Sequence, residues 1–453
     1  MTQFYLYLFC MLLVATALTM RTKTAYPIEL FIVCFFLLSG NLNELFTIKI
    51  PGISFFEIQP ERLLLIIFAI LVARKLIFQK RFGHDQKSLQ LPWFIVFLNL
   101  FVISVIVSLL THMYQFSSGE LVVAITKPLN FFLIVYGVTI MMNRASIDTV
   151  GKAIIIGAVF SSVISLIQVG IEPTFLRYGE FRPAFGEVLR SNGIFNTERT
   201  NGFFILTALA WVMVFLKERK LVKYLLICLF IAAIATTFHR MSWIMAFLVL
   251  VAYLIKVEKI GFDRLTLGAL ASLILIVAVS IFSLEDIKKS AVVSDRLSEV
   301  PTQRKGYYTM VIRTIGDKPI FGYGGKNNET YYTWMLKITG RLQRATGEEG
   351  GIHSGYFSTM FYYGIPSFIF FTGFIVLSIS YFRSASRYHV FFLIPLLVAI
   401  LYAIGNLTNT VLFKTGGILF MIHIGLGLAA VKMEEFYPGD RQTSINTSIY
   451  SAT

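Results

Sequence analysis

Charge is scarce in this sequence, and what there is leans one way. Only 14% of the 453 residues are Asp, Glu, Lys or Arg, with 40 basic against 25 acidic and a formal net charge of +15. Cysteine is scarcer still. Cys10, Cys34 and Cys228 fall inside apolar runs, form no CxxC pair and have no metal-ligand spacing, so they read as small core or lipid-facing residues. The six histidines are scattered, with no HExxH or HxH cluster. There is no Walker A motif, no GxGxxG after a strand and no DxD acidic pair in a loop. These absences remove the usual marks of zinc proteases, P-loop NTPases and dinucleotide-binding enzymes, and they leave metal: none as the expectation. No soluble domain is visible to carry the positive charge, which argues against nucleic acid as a partner.

What is present is apolar. Hydrophobic residues make up 56% of the chain and the mean hydropathy is +0.72, which fits a chain whose solvent is mostly lipid. Runs long enough to span a bilayer are read near 4–20, 27–43, 62–79, 92–111, 122–142, 153–171, 202–217, 222–238, 241–256, 265–284, 354–380, 389–406 and 413–432. The first lacks a small-residue cleavage site and reads as a retained helix. Basic loops orient the spans: "RKLIFQKRFGHDQK", "KERKLVK" at 217–223 and "YFRSASRY" at 381–388 fall on one side, which the positive-inside rule makes cytoplasmic. The tail 433–453 joins them. Two loops, 172–201 and 285–353, fall on the other side. The expectation is an all-α polytopic integral membrane protein of about 12–13 transmembrane helices, forming one catalytic domain over 1–453. Within the larger loop, Tyr308, Val311, Ile312 and Ile315 recur at helical spacing, and "GDKPIFGYGG" then breaks the pattern. That predicts an amphipathic surface helix followed by a tight glycine-rich turn.

Charged side chains beside apolar runs cost about 2.5–3.5 kcal/mol at a helix centre, so they tend to face a cavity or a partner. Three places carry them on the outer side. "TTFHRMSW" holds His239 and Arg240 in a turn where Gly, Asn or Pro would be ordinary. "TQRKGYYTMVIR" holds Arg304, Lys305 and Arg313. "EEGGIHSGYF" holds His353 where a polar segment meets an apolar run. Each has a bland alternative: a snorkelling arginine, a solvated helix face, an interfacial anchor or cap. The loop "RYGEFRPAFGEVLRSNGIFNTERTNGFF" adds Arg177, Arg182, Arg190 and Arg199 among aromatics, a composition suited to a sugar-phosphate or lipid-headgroup surface. Arginine forks match phosphate oxygens bidentately, and a histidine beside them can take a proton from a sugar hydroxyl.

The order of these motifs resembles the O-antigen ligase and O-antigen polymerase superfamily of bacterial membrane glycosyltransferases. The residues that carry the resemblance are "TTFHRMSW", then Arg304, Tyr308 and "GDKPIFGYGG", then "HSGYFSTMFYYGIPS", with Ser354 where the family commonly has Asn. The resemblance implies a GT-C-like helical enzyme that needs no cofactor or metal. Its donor would be a glycan on undecaprenyl diphosphate, at the outer leaflet of a bacterial inner membrane, transferred with inversion. Its acceptor would be a glycan or a lipid A-core sugar, and a chain-length regulator protein would be a partner. Arg240 and Arg304 would hold the diphosphate and His353 would act on the acceptor hydroxyl. Arg199, Arg313, Tyr308, Lys305 and His239 would be substrate contacts. The expected function is polymerase, with ligase as the alternative. A lipid-linked glycan transporter or flippase is the rival from another class. It predicts mid-span charges and related halves, whereas Lys127 is the main mid-span charge here and no repeat is found.

Overall fold

The computed structural model describes residues 48–49, 57–58, 60–81, 92–177, 183–185, 188–216, 219–257, 308–324, 352, 354–408 and 415–433. Among them the fold is all-α. The helices are α1 (Pro60–Arg81), α2 (Trp93–Thr111), α3 (Ser118–Met141), α4 (Arg144–Gly170), α5 (Glu198–Phe215), α6 (Lys220–Thr236) and α7 (Arg240–Lys256). They continue with α8 (308–314), α9 (Gly355–Ala385), α10 (Leu393–Thr408) and α11 (Thr415–Val431). Strand is confined to two short antiparallel pairs, Ile48–Lys49 with Glu57–Ile58 and Pro183–Phe185 with Val188–Leu189. Five described helices are long and apolar enough to cross a membrane. Ten of the expected spans coincide with described helices; those at 4–20, 27–43 and 265–284 lie outside the described residues.

The exterior explains the composition. Ile70, Ile77, Ile103, Val122, Val163, Leu225 and Ile369 are exposed along the helices, as lipid-facing positions must be. Inside, glycines admit aromatic rings. A Cβ on Gly137 would meet the Phe68 ring, and one on Gly373 the Phe97 ring. Start signals are local. Ser117 and Glu120 form a capping box at α3, and Asn143 accepts from the Ser146 amide at 2.9 Å to cap α4.

The helices run up and down, so the bundle has two ends. At one end Lys75 donates to the Ile140 carbonyl (2.8 Å), joining α1 to α3. Arg144 lies near enough to His389 to act on its charge; Arg383 sits in the last turn of α9 and Arg387 in the turn that leads from it to His389. Deeper on that side the Trp211 indole donates to His423 Nε2 (2.8 Å), which leaves the proton on Nδ1 for the Leu419 carbonyl (2.7 Å). Trp211 also meets Phe391, just before α10 begins. Helices α5 and α10 are therefore antiparallel neighbours, and the start of α5 shares the opposite end with the close of α10.

One expected span is not continuous. The run 354–380 was read as a single helix, but α9 is two segments joined at Gly364 (φ 88°, ψ 174°), two residues before Pro366. No residue with a Cβ holds that backbone comfortably, and proline removes a donor from the next turn.

Candidate functional site

The opposite end of the bundle is built on a buried polar stripe. Ser161, Ser165 and Gln168 follow one face of α4 at i, i+4 and i+7, and all three are buried. Buried polar groups in an apolar helix need partners, and here they grip the loop before α5. Gln168 Nε2 donates to the Phe175 and Gly193 carbonyls (both 3.0 Å), and its Oε1 accepts from the Asn192 and Gly193 amides (2.9 and 3.0 Å). Asn201 joins them, donating to Ser165 (2.8 Å) and accepting from Ser161 (2.7 Å). The first turn of α5 is thus fixed to α4.

That turn carries the charge cluster. The Glu198 carboxylate is 1% exposed. Arg190 Nη1 reaches its Oε1 at 3.4 Å and Arg199 Nε lies 3.8 Å from the same oxygen. Arg177 is buried as well; burial pulls its guanidinium pKa down while the Glu198 charge opposes the shift. Three guanidinium groups around one carboxylate leave a local excess of positive charge. The Arg190 and Arg199 contacts to Glu198 are longer than an ideal charge-assisted hydrogen bond.

Arg240 joins the same end through the turn between α6 and α7. The Ser191 amide donates to the Thr236 carbonyl (3.0 Å), placing Arg190 beside the close of α6. The chain then turns through Phe238, whose φ of 47° is unusual for an aromatic residue. His239 Nδ1 lies 2.8 Å from Ser242 Oγ, and Trp243 Nε1 donates to the Ile234 carbonyl (3.1 Å). A Cβ on Gly202 would collide with Ser242, so α5 and α7 approach closely two residues after Arg240 and three after Arg199. Arg240 itself is exposed as the first residue of α7.

The third part joins the two remaining motifs. Residues 308–314 form a helix, and Ile315–Asp317 tighten into a 3-10 turn. Met310, Val311 and Ile315 are buried and Tyr308 is half-buried, while Ile312 and Arg313 are exposed. The expected apolar face is therefore present, with Ile312 turned outward and Met310 turned in.

The following "GDKPIFGYGG" docks on the break in α9. The Tyr323 and Gly324 amides donate to the Phe361 and Tyr362 carbonyls (2.9 and 3.0 Å), and the Ile365 amide donates to the Pro319 carbonyl (2.8 Å). These are the backbone groups that the break sets free. From α2, Ser108 donates to the Phe321 carbonyl (2.6 Å). Gln115, just past α2, donates to the Tyr323 carbonyl (2.9 Å). A Cβ on Gly322 would lie 2.6 Å from the Phe361 carbonyl oxygen. Tyr323 is buried, stacks on Phe361 (4.8 Å) and donates to the Thr314 carbonyl (2.9 Å); burial and nearby Asp317 raise its pKa.

Ser354 caps α9, accepting from the Phe357 amide (3.5 Å), and donates to the Asn406 carbonyl at the close of α10 (3.1 Å). Tyr308 stacks on Phe357 (4.6 Å) and reaches the Leu407 carbonyl (3.5 Å).

Of the residues expected from sequence, Arg199, His239, Arg240, Tyr308 and Arg313 thus belong to elements gathered at one end. Arg304, Lys305 and His353 lie outside the described residues, four and three residues before Tyr308 and one before Ser354. Sequence reasoning assigned no role to Glu198 or Tyr323. It could have found Glu198 as an acid within a cationic loop and Tyr323 as the aromatic inside a glycine-rich turn. Among the described residues no group of three or more His, Cys, Asp or Glu is placed to hold a metal ion.

Residues 188–372 match the family model described as O-antigen ligase. The matched stretch runs from the strand before Arg190 past the break at Gly364. No curated protein matches the chain. Over residues 188–372, about two fifths of its length, the chain is therefore similar to the O-antigen ligase family.

Proposed function

We propose that this protein is a GT-C-like membrane glycosyltransferase that extends a surface polysaccharide. Its donor is a glycan carried on undecaprenyl diphosphate, used at the outer leaflet of the bacterial inner membrane. The observation that carries this reading is the gathering of Arg177, Arg190 and Arg199 around Glu198, at the bundle end where Arg240 begins α7. The acceptor hydroxyl attacks the anomeric carbon from the face opposite the diphosphate. The new glycosidic bond forms as the bond from that carbon to the diphosphate oxygen breaks, with inversion. His353 takes the hydroxyl proton. Charge growing on the leaving diphosphate is met by Arg240, Arg304 and Arg199, with His239, Lys305, Tyr308 and Arg313 as further substrate contacts. Preorganised guanidinium donors supply such stabilisation without a metal. The basic loops beside Lys75, Lys223 and Arg383 support putting the arginine end outside.

The acceptor separates polymerase from ligase. The polymerase reading takes another lipid-linked repeat, with a chain-length regulator as partner. The ligase reading takes a lipid A-core sugar and is favoured by the family model's description. A deletion strain distinguishes them: loss of all long chains marks a polymerase, and loss only of their attachment to core marks a ligase. Purified protein is expected to move glycan from the lipid diphosphate donor in EDTA, without nucleotide. Retained turnover in both His353→Ala and Arg304→Ala would overturn the residue assignment. An absolute need for ATP or an ion gradient would favour a transporter.

A further inference from the structure

We propose that Tyr323 is a positioning residue that holds α8 and the first segment of α9, the elements that follow Arg304 and His353 in the sequence, in one register; this rests on the transfer reading above. The contacts of Tyr323 reach three separate elements of this region. Its hydroxyl donates to the Thr314 carbonyl, at the last residue of α8, the helix that follows Arg304. Its ring stacks on Phe361 and its amide donates to the Phe361 carbonyl, in the short first segment of α9 that follows His353. Its carbonyl accepts from Gln115, just past α2.

The first segment of α9 needs such a tie. The break at Gly364 separates residues 355–363 from the long remainder, so helix continuity does not set the first segment; Ser354 and Tyr356 tie its start to α10, and its far end needs a separate tie. Residues 319–324 supply it through three backbone hydrogen bonds, and Met310, Val311, Ile352, Phe361 and Tyr362 close a small apolar cluster around Tyr323. That cluster is separate from the main core. Loosening it shifts the two motif segments against each other without moving the arginines of α5 and α7, which are anchored through α4 and Ser242.

The consequence is a split in the kinetics. Ground-state donor binding rests mostly on Arg199 and Arg240, which stay anchored, whereas the chemical step depends on how Arg304 and His353 stand to the leaving group and the acceptor hydroxyl. A misplacement near 1 Å can cost as much as about a hundredfold in rate.

The test is Tyr323→Phe in the full-length protein, purified in detergent and assayed with lipid-diphosphate donor. Tyr323→Leu, which loses the ring as well, is its companion. Tyr323→Phe keeps the stack and the backbone bonds and removes only the hydroxyl's links to Thr314 and, at 3.5 Å, Asp317. It is expected to lower kcat about tenfold with the donor KM within about twofold of wild type. Tyr323→Leu is expected to lower kcat further. A rise in KM at unchanged kcat, or wild-type kinetics in Tyr323→Phe, overturns the inference. Arg304→Ala and His353→Ala in the same assay separate the two failures. If both lose turnover while Tyr323→Phe does not, only the positioning role is wrong. If both keep turnover, the transfer site itself is misassigned and the inference goes with it.

Discussion

Substituting alanine for Gly364 attacks the broken helix at its least replaceable atom. Two effects add. The backbone there has φ 88° and ψ 174°, a region open essentially to glycine alone, and holding an L-residue in such a region costs about 1–3 kcal/mol. The new methyl would also lie 2.5 Å from the Ile320 carbonyl carbon, and closer still to its oxygen. Neither atom belongs to a side chain that can swing away. Relief requires the turn at 319–324 to lift, which strains or breaks three backbone hydrogen bonds worth about 1 kcal/mol each. The sum is about 4–6 kcal/mol for the docked region if all three bonds are lost.

The control is Gly316→Ala, in the same segment, where a Cβ would meet nothing within 4 Å and the backbone is ordinary. Thermal unfolding of the detergent-purified proteins, followed by tryptophan fluorescence, measures the difference, and protease sensitivity at the 319–324 turn locates it. Gly364→Ala is expected to lower the midpoint by at least about 5 °C, against about 1–2 °C or less for the control. Equal stability of the two variants, with the turn equally protected, would refute the docking argument.

Three further outcomes follow from buried partners. Trp211→Phe strands His423 Nε2 in the core and should cost about 1–3 kcal/mol, part of which Trp211→Phe combined with His423→Leu returns; a thermal double-mutant cycle checks it. Gln168→Ala leaves four backbone partners of the 192–193 loop and Phe175 without their side chain, so donor KM should rise and the loop should become sensitive to protease. His389 Nδ1 accepts from the Phe391 amide, and burial first, then the charge of Arg144, hold its pKa below the ordinary 6.5. A depressed histidine pKa means the unfolded chain binds the proton more readily. Its contribution is present above the ordinary histidine range and is lost as pH falls. Wild type should therefore lose more thermal stability than His389→Asn on going from about pH 8 to about pH 5.

The helices were legible because their signal is local. Uninterrupted apolar runs predicted the ten described spans to within a few residues at most ends, and Ser117, Asn143 and Thr197 cap where such residues should. The grouping of basic loops at one end was legible too, since alternation along the chain requires only that each span crosses. What hydropathy did not show is the break inside the span at 354–380, and that break rests on a long-range partner. The run 354–380 contains Gly364 and Pro366, yet both residues are common in transmembrane helices and neither alone predicts a break. What makes the break stable is a segment about forty residues earlier, whose backbone satisfies the groups that Gly364 releases. Hydropathy cannot report a partner at that separation.

The candidate site divides along the same line. Arginines show in a sequence because charge is rare in this chain, so Arg199 and Arg240 could be picked out singly. Their meeting could not be read, because it is made by groups without any charge: Gln168 and Asn201 fixing α5, Ser191 on Thr236, and Gly202 against Ser242. Glu198 was passed over because a lone acid in a cationic loop looks like ordinary charge balance. Its burial gives it another meaning. An exposed acid beside three arginines would be worth little to any of them, since water screens surface pairs to about 1 kcal/mol or less. At 1% exposure the same carboxylate draws the heads of Arg190 and Arg199 toward one point. Under the proposed transfer, a diphosphate donor would meet guanidinium groups that one buried carboxylate has already drawn together.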